Sequence, residues 1–546
     1  MLRSPDDSLR RIRLETFLCR VLGIAVILGL AGCSPEQHKA EADKEVYQII
    51  DNKWQGDFGH KSNYIISDSN IPPSPDDIRI DQAVPASGVI NLAQAVAIAT
   101  AYNREYQRQK EQLYLKALDL TLARHQFARQ WFGTVDARYR NDSEDEKVDS
   151  GGGVGFNQLL ADGARISVDI AMDWTRFLTG DPRTSLASIL SASASQPLLR
   201  GRGRQVVQEN LTQSEREVLY QIRSFNRYRK DFVVSIADNY YRVLELKASV
   251  TNAENSYFRL LESKKRLEIE AEAGQARPFD VDEAEQQALG AENRWVQSQQ
   301  SYERVLDEFK VTLSLPPSAD IELDENELKA LEELGIIEPG YELDDAVETA
   351  FFRRLDITNS KDRVDDAARK VVVAADGLGV ELNLVGSAGV GSTPETDFDR
   401  LQFNRGNYSL GLESNDLGLD RKAERNAYRE ALIAQRQRQR QYEIDRDRME
   451  LGVRQALRAL KAEAEQYRIQ KMALELAVRR LETQKLLLEI GQGNVRLLLE
   501  SEGALLEAQN DVTSALVAHA IAKLGFFRDI GILQVKPDGM WEQQAQ

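Results

Sequence analysis

Met449 to Leu488 reads MELGVRQALRALKAEAEQYRIQKMALELAVRRLETQKLLL. Apolar side chains recur at alternating steps of three and four, at Met449, Val453, Ala456, Leu460, Tyr467, Leu474, Ala477, Leu481 and Leu488, with Glu463, Gln470 and Gln484 filling the missing places. That spacing keeps one stripe facing a partner helix and predicts a coiled-coil seam with imperfections. The stretch is part of a longer one. Leu419 to Ile490 contains one Gly, Gly452, and no Pro, and Arg204 to Ala273 contains neither. Ordinary globular helices run about 8–20 residues, whereas at about 1.5 Å per residue each of these would be a rod on the order of 100 Å long. The first rod has its own seam at Ile236, Tyr240, Val243, Val250, Tyr257 and Leu261. These stripes are packing surfaces; the information lies in the length of the rods and in their duplication.

Shorter helical segments flank each rod, Leu92 to Gln130 and Phe279 to Leu315 around the first, Leu343 to Asp376 and Asn494 to Asp529 around the second. Each pair is about as long as its rod, so two short helices stacked end to end would bury the whole seam. The two halves also match directly. Shifted by 251 residues, Leu92, Ala95, Val96, Ala99, Lys110, Ala117 and Ala123 fall on Leu343, Ala346, Val347, Ala350, Lys361, Ala368 and Ala374. Shifted by 217, Gly274, Glu283, Glu285, Ala291 and Asn293 fall on Gly491, Glu500, Glu502, Ala508 and Asn510. This is a large internal repeat, and the two shifts place 34 extra residues in the first half.

The extra material lies between Gly133 and Gln196, where period-two alternation replaces the helical pattern, at Thr134–Tyr139, Ile166–Met172 and, less cleanly, Leu186–Ser195. Asp149–Gly153 and Ala161–Gly163 read as turns, and Gly151–Gly155 as a flexible connection. In the second half Leu384–Val390 and Tyr408–Leu412 read as strands, joined through Ser392–Asp397. Strands this few cannot close a membrane barrel, which needs at least about eight; several chains would have to share one wall. Trp131, Phe132, Trp174 and Phe403 lie at or near strand ends, as an interfacial aromatic belt or as core aromatics.

The N-terminus reads as an export signal. Arg3, Arg10, Arg11, Arg13 and Arg20 precede the apolar run Val21–Leu30, which is too short to span a bilayer and leads into Leu30-Ala31-Gly32-Cys33. This looks like a bacterial lipobox, with residues 1–32 removed and Cys33 lipidated, and Ser34 resembles an outer-membrane sorting signal. Cys19 is lost with the signal, so the mature chain has no disulfide. The formal charge of −17 becomes −19 after cleavage, which argues against nucleic acid as a partner. The four histidines, His38, His60, His125 and His519, are scattered, and no His-x-x-x-His or Gly-Lys-Ser/Thr spacing occurs. No catalytic residue, metal site or cofactor is expected, and the chain is not read as an enzyme.

The order of elements, with Leu92-Ala93-Gln94-Ala95-Val96 and Asn103, Gln196-Pro197-Leu198-Leu199-Arg200-Gly201, the Gly274–Glu285 segment, Leu343-Asp344-Asp345-Ala346-Val347 and Leu419–Arg425, resembles the TolC-like outer membrane efflux protein family from about Asn91 to Leu533. The duplicated order carries most of that resemblance. It implies an α+β, mainly α fold: long antiparallel coiled-coil helices forming a periplasmic tunnel, and four strands per protomer entering a 12-stranded barrel shared by a homotrimer. It further implies a passive outer-membrane exit duct for efflux or type I secretion, joined to a periplasmic adaptor protein and an inner-membrane pump and embedded in outer-membrane lipid. The sequence departs from the pattern between Gly151 and Thr184, where an added hairpin and an outer loop both remain open. The expected organisation is a lipidated tether over 33–90, with Pro72-Pro73-Ser74-Pro75 stiffening it, a first repeat over 91–320, a connection over 321–342, a second repeat over 343–533 and a tail over 534–546.

The same resemblance assigns the two hairpin tips. Gly274, Gln275, Arg277, Gly491, Gln492, Gly493, Asn494 and Arg496 are candidates for adaptor docking, and Asp280, Asp282, Glu283 and Glu500 for rings of carboxylates narrowing the periplasmic aperture. A Gly at a helix end and acidic residues in a first turn also serve helix geometry alone. Leu497-Leu498-Leu499 would share or replace the acidic gate with an apolar one. A pore-free periplasmic coiled-coil scaffold or adaptor lipoprotein is the alternative reading, and it gives no reason for two strand regions in register with the repeat. Cys33→Ser should abolish acyl labelling yet leave the protein in the membrane, because a single lipid anchor adds little beside an embedded barrel; release into the aqueous fraction on membrane preparation would contradict the barrel.

Overall fold

The computed structural model describes residues 34–66, 88–141, 146–177, 184–336, 340–393, 397–490, 492–536 and 540–543. Cys33, Pro72 to Pro75 and Gly491 lie outside the described residues. The chain is mainly helical with a large antiparallel sheet at one end. The two rods are α5, Glu209–Glu272, and α10, Lys422–Glu489. Before α5 come α2, Leu92–Tyr102, α3, Arg104–His125, and the single turn α4, Arg204–Val207; α6, Pro278–Thr312, follows it. Around α10 lie α8, Leu343–Arg353, α9, Leu355–Asp376, and α11, Val495–Asp529.

Each upstream segment is thus broken once, and at equivalent places. Asn103 and Arg354, 251 residues apart, both take extended backbone and interrupt the helix. Asn103 caps α3 by accepting from the Tyr106 N–H, and its amide donates to the carbonyl of Thr312, the last residue of α6, at 2.9 Å. Arg354 reaches the carbonyl of Asp529, the last residue of α11, at 3.4 Å. The break therefore does structural work: it joins two short helices end to end along each rod. The seam of α10 is buried at Met449, Val453, Leu460, Tyr467 and Leu481. Along α5 it passes through Ile236, Tyr240 and Val243, then moves to Ala253, Ser256, Leu260 and Leu267, leaving Val250 half-buried and running one residue off the expected Tyr257 and Leu261. Small residues at Ala253 and Ser256 escape a reading that counts large apolar side chains.

The tether expectation needs amending. Pro35–Lys53 forms a helix, α1, capped by Ser34, whose Val46, Ile49 and Ile50 are buried against the body. Tyr114 on α3 donates to Asp43 at 2.7 Å. The small pair β1, Val89–Ile90, and β6, Glu322–Leu323, ties the start of the first half to the segment that leads into the second. In that segment α7, Asn326–Leu334, lies against α11.

The sheet contains β2, Gln130–Asn141, β3, Glu146–Leu159, β4, Arg165–Phe177, β5, Thr184–Pro197, β7, Asn383–Thr393, β8, Asp397–Leu401, and β9, Asn407–Glu413. Six strands run side by side as β2-β3-β4-β5-β7-β9, all antiparallel, with short β8 capping one end of β7. The four-strand expectation fails here: the 34 extra residues form a hairpin inside the sheet. Asp149–Gly155 is strand rather than turn. A Cβ at Gly151 would sit 2.8 and 2.9 Å from the carboxylates of Asp136 and Asp173, and one at Gly155 would lie 2.6 Å from the Phe132 ring and 2.7 Å from Asp169. These glycines stand where neighbouring strands fill the space, a use of Gly that resembles a turn signal in sequence.

Gly155→Val should therefore overpack the sheet and destabilise it by roughly 1–3 kcal/mol. Gly152→Ala, whose added Cβ has as its nearest neighbour a carbonyl at 3.6 Å, should change stability little. Urea unfolding of the two variants in lipid vesicles reads the difference.

Candidate functional site

Register decides what the sheet can do. Trp131 lies opposite Phe156, Phe156 opposite Val168, Val168 opposite Ala192, Ala192 opposite Ala388 and Ala388 opposite Tyr408. One step along the strands, Phe132, Gly155, Asp169, Ser191, Gly389 and Asn407 form the row on the other face. Repeated over the sheet, this separates an apolar face, with Trp131, Val135, Tyr139, Val154, Ile170, Met172, Leu410 and Leu412, from a face carrying Thr134, Asp136, Arg138, Asp169, Asp173, Ser193 and Ser409. The apolar face is open: Val135 is 74% exposed and Leu410 78%. Trp131 to Tyr139 spans about 27 Å of strand at about 3.4 Å per residue, on the scale of an outer-membrane apolar band. Trp131 and Trp174 both lie on this face, whereas Phe132 lies on the polar one, which removes it from the expected aromatic belt. Among the described residues no helix is long and apolar enough to cross a membrane.

A charged hub fastens the sheet to the helices. The Arg200 guanidinium donates to Asp416 at 3.0 Å and that of Arg421 to the same oxygen at 2.6 Å. Arg421 also donates to the Gly379 carbonyl, and the Gly201 N–H to Asp376. Backbone and guanidinium donors together hold the Asp416 carboxyl below its ordinary range. Two segments that carried the family resemblance, Gln196–Gly201 and Leu419–Arg425, thus meet at one junction.

The opposite ends of the rods hold the predicted tip residues. After α5, Gly274 adopts φ +73°, and the N–H groups of Gln275 and Ala276 donate back to Glu270. Gln275 and Arg277 are exposed. Pro278 opens α6 as the first-turn geometry requires. Arg277 donates to both oxygens of Asp280, at 2.9 and 2.8 Å; these hydrogen bonds and the adjacent positive charge hold the Asp280 carboxyl below its ordinary value. Asp280 is buried as part of its own helix cap, with its charge matched by Arg277. Asp282 is exposed and Glu283 half-buried on the same turn. In the second tip, Asn494 caps α11 by accepting from the Arg496 N–H, and Arg496 donates to Glu500 at 3.0 Å. A Cβ on Gly493 would lie 2.5 Å from the backbone of Leu488, so the turn admits only Gly there. Gln492, Asn494, Arg496 and Glu500 are exposed. Leu498 and Leu499 are buried in the hairpin core, leaving Leu497 as the exposed member of that triplet.

One residue with a clear role was not singled out for it from sequence. Glu502 on α11 is fully buried and receives Arg259 of α5 at 2.6 Å and Lys485 of α10 at 3.2 Å. A single carboxylate thus ties the first hairpin to the second near the tips. Its sequence signal is one acidic residue at a seam position of a largely apolar helix. Among the described residues no group of three or more His, Cys, Asp or Glu side chains is placed to hold a metal ion.

No family model matches the chain, and no curated protein matches it by sequence. Solved structures match it over most of its length. The outer membrane protein VceC of Vibrio cholerae superposes with a TM-score of 0.58 at 13% identity, over 81% of this chain and 96% of that one. The CmeC outer membrane channel of Campylobacter jejuni gives 0.57 at 14%, over 83% and 87%. The MtrE outer membrane channel of Neisseria gonorrhoeae, in its open state, gives 0.57 at 15%, over 81% and 88%. The fold is that of these outer-membrane channels. This is the fold that the resemblance read from the sequence implied.

Arg259→Ala should loosen the two hairpins from one another by roughly 2–3 kcal/mol, because it leaves a buried carboxylate short of its nearest partner. The readout is faster amide exchange at the ends of α5 and α11, with the sheet unaffected.

Proposed function

We propose that this chain is a passive outer-membrane exit duct, a homotrimer that serves an efflux or secretion system. The observation that carries the proposal is the sheet: one face of its six strands is largely apolar and exposed at Trp131, Val135, Val154, Ile170, Met172, Leu410 and Leu412, and the sheet continues directly into two helical hairpins of about 100 Å. A bilayer core demands that every backbone group be paired within protein, and a shared closed sheet is the form that satisfies this while leaving an apolar exterior. The helices then carry the passage on through the periplasm. The similarity to outer-membrane efflux channels supports the same reading. A periplasmic adaptor would dock at the tips, on Gln275, Arg277, Gln492, Asn494 and Arg496, and link the duct to an inner-membrane pump. Lipidation at Cys33 would add an anchor. No reaction is catalysed and no cofactor is required.

Asp282 and Glu283, with Glu500 where its Arg496 partner lets go, are the carboxylates that would ring the periplasmic mouth. Negative rings in a narrow pore favour cations. Purified protein in planar bilayers should give discrete cation-selective conductance with divalent block, and Asp282→Asn together with Glu283→Gln should reduce both selectivity and block severalfold. Unchanged selectivity and block would remove the acidic mouth and leave the duct standing. Absence of any conductance, with recovery of the protein in the aqueous fraction, would sink the duct.

A further inference from the structure

The sheet of one chain ends in two open edges. β2 is paired on one side by β3, and β9 on one side by β7; among the described residues no strand covers the other side of either. Both edge strands are exposed along their whole length. Six strands cannot close on themselves in a membrane, yet their outer N–H and C=O groups must be paired there. Their alternation is complementary. β2 presents Trp131, Val135 and Tyr139 on the apolar face and Thr134, Asp136 and Arg138 on the polar one; β9 presents Tyr408, Leu410 and Leu412 against Asn407 and Ser409. β2 runs away from the helices and β9 returns to them, so an antiparallel pairing between copies keeps both faces continuous.

The helical layer has its borders in the same places. Beneath the sheet the columns lie in the order α3, α5, α9, α10, with β2 leaving α3 and β9 entering α10. The outer columns expose apolar side chains, Leu115 and Leu122 on α3 and Ile433 on α10. The widths also agree. Six strands about 4.8 Å apart, tilted about 40°, occupy about 37 Å of perimeter, and four helices at about 8–10 Å occupy about 32–40 Å. Four strands would occupy only about 25 Å at the same tilt.

We infer that β2 of one copy pairs with β9 of the next, so that three copies close an 18-stranded barrel in which the β3-β4 hairpin is part of the wall. The number three rests on the trimeric duct proposed above; the six-strand contribution and the edge pairing rest on the sheet. The added hairpin widens the barrel to the width of the helical tunnel beneath it, so that the passage has no narrowing where strand meets helix. Barrel diameter grows about linearly with strand number, which makes it about half as wide again as a 12-stranded barrel of the same tilt.

Electron cryomicroscopy of the full chain in lipid nanodiscs tests this directly. The expected result is a threefold ring of eighteen strands, and removal of residues 146–177 should shrink the ring to about two-thirds of that diameter. Cysteine pairs give a second measurement that does not depend on the shortened variant folding. Trp131→Cys, Val135→Cys or Tyr139→Cys combined with Tyr408→Cys, Leu410→Cys or Leu412→Cys should include pairs that link chains into a covalent trimer ladder, and Val154→Cys on β3 should link with none of the three. A trimer with twelve strands and the hairpin outside the wall, a twofold ring, or cross-links from Val154→Cys would overturn the 18-stranded barrel while leaving the duct intact. A chain found in no membrane-embedded ring would refute the duct itself.

Discussion

Antiparallel pairing with strict two-residue alternation is the constraint on which the rest of this structure depends. From β2 to β9 the register runs without a slip, so that each strand keeps one set of alternate residues on the membrane-type apolar face and the other set on the polar face. A shift of one residue in the pairing of β4 would turn that strand inside out, putting Asp169 and Asp173 on the apolar face and Ile170 and Met172 on the polar one. The glycines of β3 belong to the same constraint. They leave room for Asp136, Phe132 and Asp169 on the crowded face, and larger residues there would force strands apart.

The helices answer a different demand, that of distance. A rod of 64 or 68 residues draws most of its stability from tertiary packing and needs its apolar seam covered along its length. Covering it with one equally long helix would leave no chain available to build the sheet at the far end. Two shorter helices, meeting where Asn103 contacts Thr312 and Arg354 contacts Asp529, cover the rod and let the chain pass out to the strands between them. The sheet and the tips are in this way the two ends of one device, held apart by rods and fastened by charge, at Asp416 near the sheet and at Glu502 near the tips.

Legibility in the sequence followed the range of the interaction. Helix existence, length and pairing were readable because the seams repeat every three or four residues and the repeat compares the halves with each other. The ends of α5 and α10 fell within a few residues of expectation, since Gly274, Pro278 and Asn494 act on their immediate neighbours. The tip glycines and caps were readable for the same reason. The pairing of Asp280 with Arg277 was not, because an acidic residue at that spacing suits both an aperture and a helix cap. Glu502 was not readable either: its two partners come from other helices, 243 and 17 residues away in sequence.

By itself the sequence determined a duplicated, mainly helical chain with two rods of known length, turns at fixed points and strands inserted between helices, because each of these is set by contacts within a few residues or by a repeat. Only the tertiary structure decided how many strands there are, which residues share a face and which charges meet. The stretch from Asp149 to Gly155 makes the reason plain. Glycine in a strand and glycine in a turn are the same letters, and what distinguishes them is the presence of Asp136, Phe132, Asp169 and Asp173 on the strands alongside, a fact that exists only once β2, β3 and β4 have been laid next to one another.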